Sequence, residues 1–305
     1  LPEEFNPERG YTGTANSMNL PVDYPIEKYP MGFEWTPPWR YERLWTVLSG
    51  QPEHTLADSS ALQRDYLSLM ALQAIDTIPD DLDSPGARLL RNWDGVLDPD
   101  SSAGTYFAIW YYRHLRPALA MLLLPEAPEL VSDIDSLGVI RLMKEVRSRE
   151  AIATSLAGAY AETENVMGSD SSAWRWGDLH KIAFEHPLQR LADEELAAAM
   201  TYPPYPRGGS GNTTNNTGFS ARDMLVRAGA SYRQVIDVGN WDASTMTNAP
   251  GQSGDPRSPF YDNLLEGWAK EAEFPLLFSR EKILEHQVIR IGLLPKEEIT
   301  EIERE

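Results

Sequence analysis

Two histidines on one face of a predicted strand are the first residues whose type suggests metal chemistry. The segment from Trp174 to Pro187 alternates so that His180 and His186 point to the same side. A zinc site takes three or four protein ligands, usually histidine, cysteine or an acidic residue. The chain holds 5 histidines and no cysteine, so it offers no clear third or fourth ligand. The pattern therefore indicates histidines with a structural role.

Two other motifs that bind ions in many proteins fail here on their spacing. The acids from Asp94 to Asp100 lack the glycine at the sixth position and the glutamate at the twelfth that an EF-hand requires. The glycines from Gly208 to Gly218 lack the lysine and the helix that follow in a phosphate loop. We therefore expect no calcium at the first motif and no nucleotide at the second, whose composition is the most flexible in the chain.

The composition excludes several classes of partner and of chemistry. The 305 residues suffice for one large domain or for two. With 46 acidic and 27 basic residues the net charge is −19, which argues against nucleic acid and anionic membrane surfaces as partners. The lack of cysteine removes disulfides, thiolate metal sites and a cysteine nucleophile. The longest apolar run, residues 118–124, is too short to span a bilayer.

A β-hairpin and a constrained loop are predicted near the end of the chain. Ser231–Val238 alternates, Gly239-Asn240 signals a turn, and Ser244–Asn248 returns as a second run. A helix is predicted next, over Tyr261–Trp268. Between hairpin and helix, two glycines and two prolines within nine residues restrict the backbone: Gly251, Gly254, Pro256 and Pro259.

This stretch resembles the C-terminal end of the penicillin amidase (penicillin acylase) family of N-terminal-nucleophile hydrolases. The resemblance is carried by Ser231-Tyr-Arg, by Asp237-Val-Gly and by the succession Gly251-Gln-Ser-Gly…Ser258-Pro-Phe-Tyr-Asp…Trp268. A second match is Trp174-Arg-Trp-Gly-Asp-Leu-His. The similarity extends from Asn6 to about Ser279, and so long a succession is far more specific than a lone glycine motif.

The resemblance implies functional roles for an asparagine and an arginine. Asn16 follows a predicted short strand, Tyr11–Ala15, at the position where the family supplies a side-chain amide that stabilises the oxyanion of amide hydrolysis. Arg40 matches a family arginine close to that asparagine, and Arg43 matches another. Without the resemblance, Asn16 reads as a turn residue, and each arginine as one half of a salt bridge on a helix face.

Several helices are expected to support these residues. Trp35-Thr-Pro-Pro indicates a helix start, because proline is favoured in the first turn. The further predicted helices are one from Asp58 or Ser59 through Gln73, one over Pro85–Trp93, one over Ala103–Leu124 interrupted at Pro117, and a helical region over Asp133–Gly168.

The resemblance implies an α+β fold, the four-layer αββα sandwich of N-terminal-nucleophile hydrolases, here partial and with a large helical insertion. Residues 1–305 would form the C-terminal part of an acylase β subunit. Within them, residues 1–35 and 170–280 would carry the strands of the sandwich, and residues 36–165 would be helical.

The family works through an N-terminal serine, exposed by self-cleavage, whose own α-amine acts as the base. Leu1 cannot be that serine. We therefore expect the nucleophile on another segment of the same precursor and expect this chain to be inactive alone. Its partners would be the remaining α chain, the N-terminal β segment and a small N-acyl amide, in a periplasmic or secreted enzyme.

No cofactor or metal is expected in this chain. Lys28 departs from the acidic calcium ligand that some family members have at this point, so any calcium ion would lie elsewhere in the complete enzyme. The alternative to an acylase is a non-catalytic structural or binding module on the same scaffold.

Overall fold

Helices fill the chain from Trp39 to Met167 and recur in short pieces after it. The computed structural model describes residues 2–32, 34–131, 133–293 and 295. Its helices are α1 Trp39–Gly50, α2 Leu56–Gln63, α3 Leu69–Asp76, α4 Pro85–Arg91, α5 Ser102–Ala108, a π-helix Ile109–Leu115, α6 Arg116–Leu123, α7 Ser136–Met143, α8 Arg149–Met167, α9 Trp176–Leu179, α10 Glu194–Ala199, α11 Leu265–Ala269 and α12 Arg280–Glu285. The region predicted to be helical therefore contains α1 to α8.

Helix α1 begins directly after the Pro37-Pro38 pair, as the prolines predict. Trp39, its first residue, is 1% exposed, and its Nε1 donates to Oε1 of Gln73 on α3 at 2.8 Å. One turn further on, Arg43 forms an ion pair with Asp65. These two contacts fix α1 against the rest of the helical region.

The single helix predicted across residues 58–73 is wrong, because two helices and a turn occupy that stretch. Helix α2 starts after Thr55, whose side chain accepts from Asp58 N while the Asp58 carboxylate accepts from Thr55 N, a reciprocal capping box. The chain then leaves the helix because Asp65 Oδ1 accepts from Leu67 N at 2.7 Å, a local turn that competes with helical hydrogen bonding.

The helix predicted over Ala103–Leu124 forms as three successive pieces, and its α-helical hydrogen bonding is interrupted by the π-helix and restarts at Arg116, next to the interruption predicted at Pro117. Pro117 lies in the first turn of α6, where a missing backbone N–H costs little. The preceding π-helix has wider turns than an α-helix, so a new α-helical ladder starts at Arg116.

An aromatic core holds the helices together. The rings of Phe107 and Tyr111 stack with centroids 5.5 Å apart. Trp110 Nε1 donates to Ser155 Oγ of α8 at 3.0 Å, so this indole nitrogen keeps a partner inside the core. Other fully buried members of the cluster are Met70, Leu90, Leu115, Leu119, Val139, Ile152 and Ala159.

Two small antiparallel sheets follow the helical region. β1 Thr217–Phe219 pairs with β2 Val226–Gly229, and the second sheet has the order β3 Arg233–Val235, β4 Thr245–Thr247, β5 Phe274–Pro275. Within it Arg233 faces Thr247 and Val235 faces Thr245. The hairpin predicted from the alternation is therefore confirmed.

The loop after β4 is closely packed, as its glycines and prolines indicate. A Cβ on Gly251 would lie 2.3 Å from the carbonyl oxygen of Phe260, so only glycine fits there. That same oxygen accepts from the backbone N–H groups of Gln252 and Ser253 at 2.9 and 3.0 Å. The helix after the loop starts at Leu265, four residues later than predicted.

Two predicted strands do not form. Residues 11–15 are extended but are not paired in a sheet within the part of the chain that the structure describes. The segment around His180 begins with α9 and continues with isolated bridges, Lys181 to Pro206 and Ile182 to Val226. Alternation predicts an extended backbone, but a strand also needs a neighbour that continues the ladder.

The glycine-rich segment, predicted to be flexible, is instead buried. Residues 207–210 have almost no exposed surface, and Arg207 has none. A Cβ on Gly208 would lie 2.7 Å from the carbonyl oxygen of Leu97, so this glycine permits close packing of two backbones. Composition misled here because glycine serves close approach as well as flexibility.

A buried arginine cluster, formed by Arg207, Arg233, Asn215, Glu271 and Trp268, ties the second half of the chain together. Arg207 Nη1 donates to the Trp268 carbonyl at 2.9 Å and pairs with Glu271. Arg233 Nη1 lies 2.8 Å from both Asn215 Oδ1 and Glu271 Oε2. The Arg207 guanidinium also stacks 4.1 Å above the Trp268 ring. Both buried cations are thus paired and hydrogen-bonded.

Candidate active site

The structure brings the two sequence-predicted site residues into direct contact. Arg40, in the first turn of α1, reaches back across 24 residues of chain, and its Nη2 donates to Asn16 Oδ1 at 3.1 Å. The Asn16 side chain is exposed and the Arg40 side chain is half-buried. An asparagine amide at the surface is thus held by a cation at the start of a fixed helix.

The backbone around Asn16 is unusual and firmly held. Asn16 has φ +62°, a left-handed conformation that asparagine adopts more readily than most residues. Its neighbours Ala15 and Ser17 are 8% and 5% exposed, so the turn is anchored on both sides. The amide side chain therefore projects outward from a turn with little freedom to move.

Thr36 connects this turn to α1, and sequence reasoning missed it. Its N–H donates to the Asn16 carbonyl at 3.0 Å, and its hydroxyl donates to the Ala15 carbonyl at 2.9 Å. Arg40 Nη2 lies 3.4 Å from the same hydroxyl oxygen. Only its place directly before the Pro37-Pro38 pair that opens α1 could have drawn attention to Thr36.

The contact with Arg40 also determines which way the Asn16 amide faces. A guanidinium has donors and no acceptor, so it must meet the amide oxygen and not the nitrogen. The Nδ2 group of Asn16 then faces away from Arg40 and presents two N–H donors. A positive charge on the oxygen side polarises the amide and strengthens those donors. The arrangement is suited to stabilising negative charge on an oxygen atom.

Arg40 supplies this charge throughout the pH range of biochemistry. Partial burial lowers the pKa of Arg40 from its ordinary value. A guanidinium nevertheless keeps its proton throughout the pH range of biochemistry. The Asn16–Arg40 pair is therefore not expected to titrate.

Arg43, the other family-matched arginine, does not contact Asn16. Its Nε and Nη2 lie 2.7 and 2.5 Å from Asp65 Oδ2. The salt-bridge interpretation therefore holds for Arg43.

The histidine pair does not form a metal site. His180 is fully buried, with Nδ1 3.1 Å from the Met224 carbonyl and Nε2 3.1 Å from Thr217 Oγ1. His186 Nε2 lies 3.0 Å from the Gly254 carbonyl. Across residues 2–32, 34–131, 133–293 and 295, no cluster of three histidine, aspartate or glutamate side chains is arranged to hold a metal ion.

Burial also removes His180 from acid–base chemistry near neutral pH. Its imidazole stacks on the Trp176 ring at 4.4 Å. Desolvation, with a smaller effect of the Arg207 charge, lowers the pKa of His180 to about 3, although the Met224 carbonyl opposes the shift. His180 is a neutral structural residue at physiological pH.

The acids after Trp93 are used in turns. Asp94 Oδ1 accepts from Val96 N and Asp98 Oδ1 accepts from Asp100 N, each at 2.9 Å. Such turns engage the oxygens that a cation would need.

Among the helices that the structure describes, none is long and apolar enough to cross a membrane.

Comparisons with known proteins bear on the family and the fold of this chain. The chain is 26% identical over 314 residues to the acyl-homoserine lactone acylase QuiP of Pseudomonas syringae pv. syringae, a match that covers 88% of this chain and 37% of that protein. It is 28% identical over 320 residues to the penicillin acylase 2 proenzyme of Pseudomonas sp. SE83, covering 97% of this chain and 40% of the proenzyme. The chain thus spans about two fifths of the length of these relatives.

The fold has a counterpart among solved structures. The thermostable penicillin G acylase from Alcaligenes faecalis superposes with a TM-score of 0.56 and 17% sequence identity, over 95% of this chain and 58% of that chain. The predicted α+β class and N-terminal-nucleophile hydrolase fold are confirmed by this match. The penicillin amidase family profile matches residues 1–285. The chain belongs to the penicillin amidase family.

Proposed function

We propose that this chain is the C-terminal part of an acylase β subunit and supplies the oxyanion-stabilising group for hydrolysis of an N-acyl amide. The observation that carries the proposal is the contact between Arg40 Nη2 and Asn16 Oδ1 at 3.1 Å, which turns the amide N–H groups of Asn16 away from the arginine. The family membership and the acylase names of the relatives support the same reaction class.

In the proposed reaction, an N-terminal serine on another segment of the precursor attacks the amide carbonyl carbon. The carbonyl oxygen becomes negatively charged as the tetrahedral intermediate forms. Asn16 Nδ2 then donates to that oxygen, and Arg40 keeps the amide oriented and polarised. A donor that is already in place need not reorganise as the charge develops, which is why such groups lower the barrier.

The partners follow from the length of the chain relative to its family. The remaining α chain and the N-terminal β segment of the same precursor would complete the enzyme, which would be periplasmic or secreted after self-cleavage. Residues 1–35 and 170–280 would join the sandwich, and residues 36–165 would form the helical portion beside it. The substrate would be a small N-acyl amide, with penicillins and N-acyl homoserine lactones as the first compounds to assay, given the names of the relatives.

Replacement of Asn16 tests the proposal in the complete enzyme, produced from the full precursor. We expect Asn16→Ala to lower kcat by about 10²–10³, or about 2.7–4 kcal/mol of transition-state stabilisation, with little change in KM. The ground-state carbonyl interacts weakly with this donor, so substrate binding should survive. Asn16→Asp should be worse, because a carboxylate would face the developing negative charge.

Asn16→Gly is the matched control for the turn. Because φ is +62°, alanine is strained at this position whereas glycine is not. Loss of the amide should lower kcat in both variants by similar factors, with the thermal midpoint retained at least in the glycine variant. A glycine variant with full activity would make Asn16 a turn residue. It would favour the alternative, a non-catalytic module in this chain.

A further inference from the structure

Helix α1 is attached to the helical region through one face. Trp39 and Arg43 are four residues apart, so they lie on the same side of the helix. Trp39 bonds Gln73 of α3, and Arg43 bonds Asp65 between α2 and α3. Arg40, next to Trp39 in the chain, extends instead towards Asn16. The orientation of α1 therefore determines the position from which the Arg40 side chain extends towards Asn16.

The Arg43–Asp65 pair is well shielded from solvent. Two guanidinium nitrogens, Nε and Nη2, converge on one carboxylate oxygen at 2.7 and 2.5 Å. The side chains of Arg43 and Asp65 are 24% and 14% exposed. A planar two-point contact of this kind fixes direction as well as distance, unlike a single contact from a lysine.

Asp65 is itself tied to the buried arginine cluster. Its Oδ1 accepts from Leu67 N at 2.7 Å, and its backbone carbonyl accepts from Asn215 N at 3.0 Å. Asn215 is fully buried, and its Oδ1 accepts from both arginines of the cluster, Arg207 at 3.2 Å and Arg233 at 2.8 Å. The residue whose carboxylate pairs with Arg43 is thus hydrogen-bonded to a fully buried part of the molecule.

We propose that Arg43 is a positioning residue, which through Asp65 holds α1 in the orientation that lets Arg40 reach the Asn16 amide. This inference rests on the proposed function, since it assigns Arg43 a role in the same oxyanion site. Arg43 touches neither Asn16 nor the reacting atoms, and its effect passes through Arg40.

The first turn of α1 has no side-chain cap, so contacts made by other side chains must hold the helix in its orientation. Its N-cap is Pro38, which makes no side-chain cap. The buried Trp39 bonds α3 through its indole, and Arg43 adds a second attachment one turn further along the helix. A misplacement of about 1 Å at a catalytic group can reduce a rate by about a hundredfold.

Replacement of Arg43 by methionine in the complete enzyme is the central experiment. Methionine preserves much of the aliphatic volume and removes the ion pair. We expect kcat to fall by about ten- to a hundredfold while KM changes less than about twofold. Arg43→Lys, which retains the charge but not the two-point contact, should recover part of the lost kcat.

A double-mutant cycle separates positioning from general stability. In an Arg40→Met background the contact with Asn16 is already lost, so Arg43→Met should lower kcat by no more than about twofold further. Equal factors for Arg43→Met with and without Arg40 would overturn the inference. So would a kcat that falls only in proportion to the folded fraction measured by circular dichroism.

Arg113→Met is the matched control. Arg113 pairs with Glu162 at 2.7 Å, and the two side chains are 25% and 30% exposed, a burial close to that of the Arg43 pair. Its other bonds reach the carbonyls of Ala221 and Arg222, not α1. This variant should lower the thermal midpoint and leave kcat within about twofold.

Two outcomes distinguish failure of the positioning role of Arg43 from failure of the proposed function. If Arg43→Met does not fold, Asp65→Asn takes its place with the same expectations, because it removes the charge from the other side of the pair. Loss of activity in Asn16→Gly with unchanged kcat in Arg43→Met would refute the positioning role alone. Unchanged kcat in Asn16→Gly would refute the proposed function.

Discussion

The buried His180 makes the stability of the protein depend on pH in a way that can be measured against a non-titrating variant. The perturbation is His180→Gln, which retains a polar side chain and removes the ionisable ring. The folded protein holds this imidazole neutral until about pH 3, whereas an exposed histidine protonates near 6.5. Between these two values the unfolded chain binds a proton that the folded chain does not bind.

The sign and size of the effect follow from that difference. The contribution of His180 to stability is complete above pH 6.5 and is lost as the pH falls from 6.5 towards 3. Each pH unit in this window is worth about 1.4 kcal/mol, so the wild type should lose about 2 kcal/mol relative to the variant between pH 7.5 and pH 5. Asp223 and Asp255, whose pKa values are lowered by hydrogen bonds to Arg227 and Arg257 from 3.8 to about 2, change their proton binding only below pH 5.

Denaturant midpoints of the complete enzyme at pH 7.5, 6 and 5 provide the assay. At pH 7.5 the wild type should be more stable than His180→Gln, because the ring stacks on Trp176 at 4.4 Å. At pH 5 the gap should have narrowed by about 2 kcal/mol. A gap that stays constant, or widens on acidification, would show that the folded protein accepts the proton. The assignment of His180 as a neutral core residue would then be wrong.

Two further predictions concern the site and the isolated chain. Arg40→Lys should lower kcat by about tenfold at unchanged KM, because an ammonium lacks the planar fork that orients the amide, and unchanged turnover would assign Arg40 to the surface. Residues 1–305 produced alone should be inactive and should bind a hydrophobic dye strongly, since Phe5 is 94% exposed and Leu293 93%. A monomeric product that melts cooperatively and hydrolyses an N-acyl amide would contradict both expectations.

The parts of the fold that sequence predicts well are those in which one local rule decides. The β3–β4 hairpin follows from alternation around a turn, and α1 follows from prolines at its start. Gly251 lies in a loop whose backbone oxygens leave no room for a Cβ, as its glycine and proline content indicates. In each case the residues that predict the structure and the groups that they contact are close together in the sequence.

The predictions that failed are those in which distant groups override the local rule. Residues 58–73 show a helical periodicity, yet Asp65 breaks it, because its carboxylate turns the chain and pairs with Arg43. The segment around Gly208 has a flexible composition, yet Arg207 beside it is buried against Glu271 and Trp268. Neither outcome is visible in a window of neighbouring residues.

The Asn16–Arg40 contact is a feature that no local or periodic rule of sequence could have predicted. Residues 17–38 contain no helix or strand in their described part, so nothing in the pattern brings Asn16 and Arg40 together. Their pairing was expected only from the family resemblance, and the structure now supplies its physical basis. Thr36 bonds the turn at two points, and α1 begins three residues later.

The orientation of the Asn16 amide depends on residues that lie far from it. The Asn16 side chain is exposed and lies on an irregular turn, so its own surroundings constrain it only through the backbone. Arg40 adds the constraint on the side chain, and Arg40 is in turn limited by the placement of α1. Residues far from the amide, such as Asp65 and Asn215, thereby contribute to its orientation. Substitutions in this remote set should reduce kcat before they reduce substrate binding, because in the proposed reaction the amide interacts most strongly once the carbonyl oxygen carries charge.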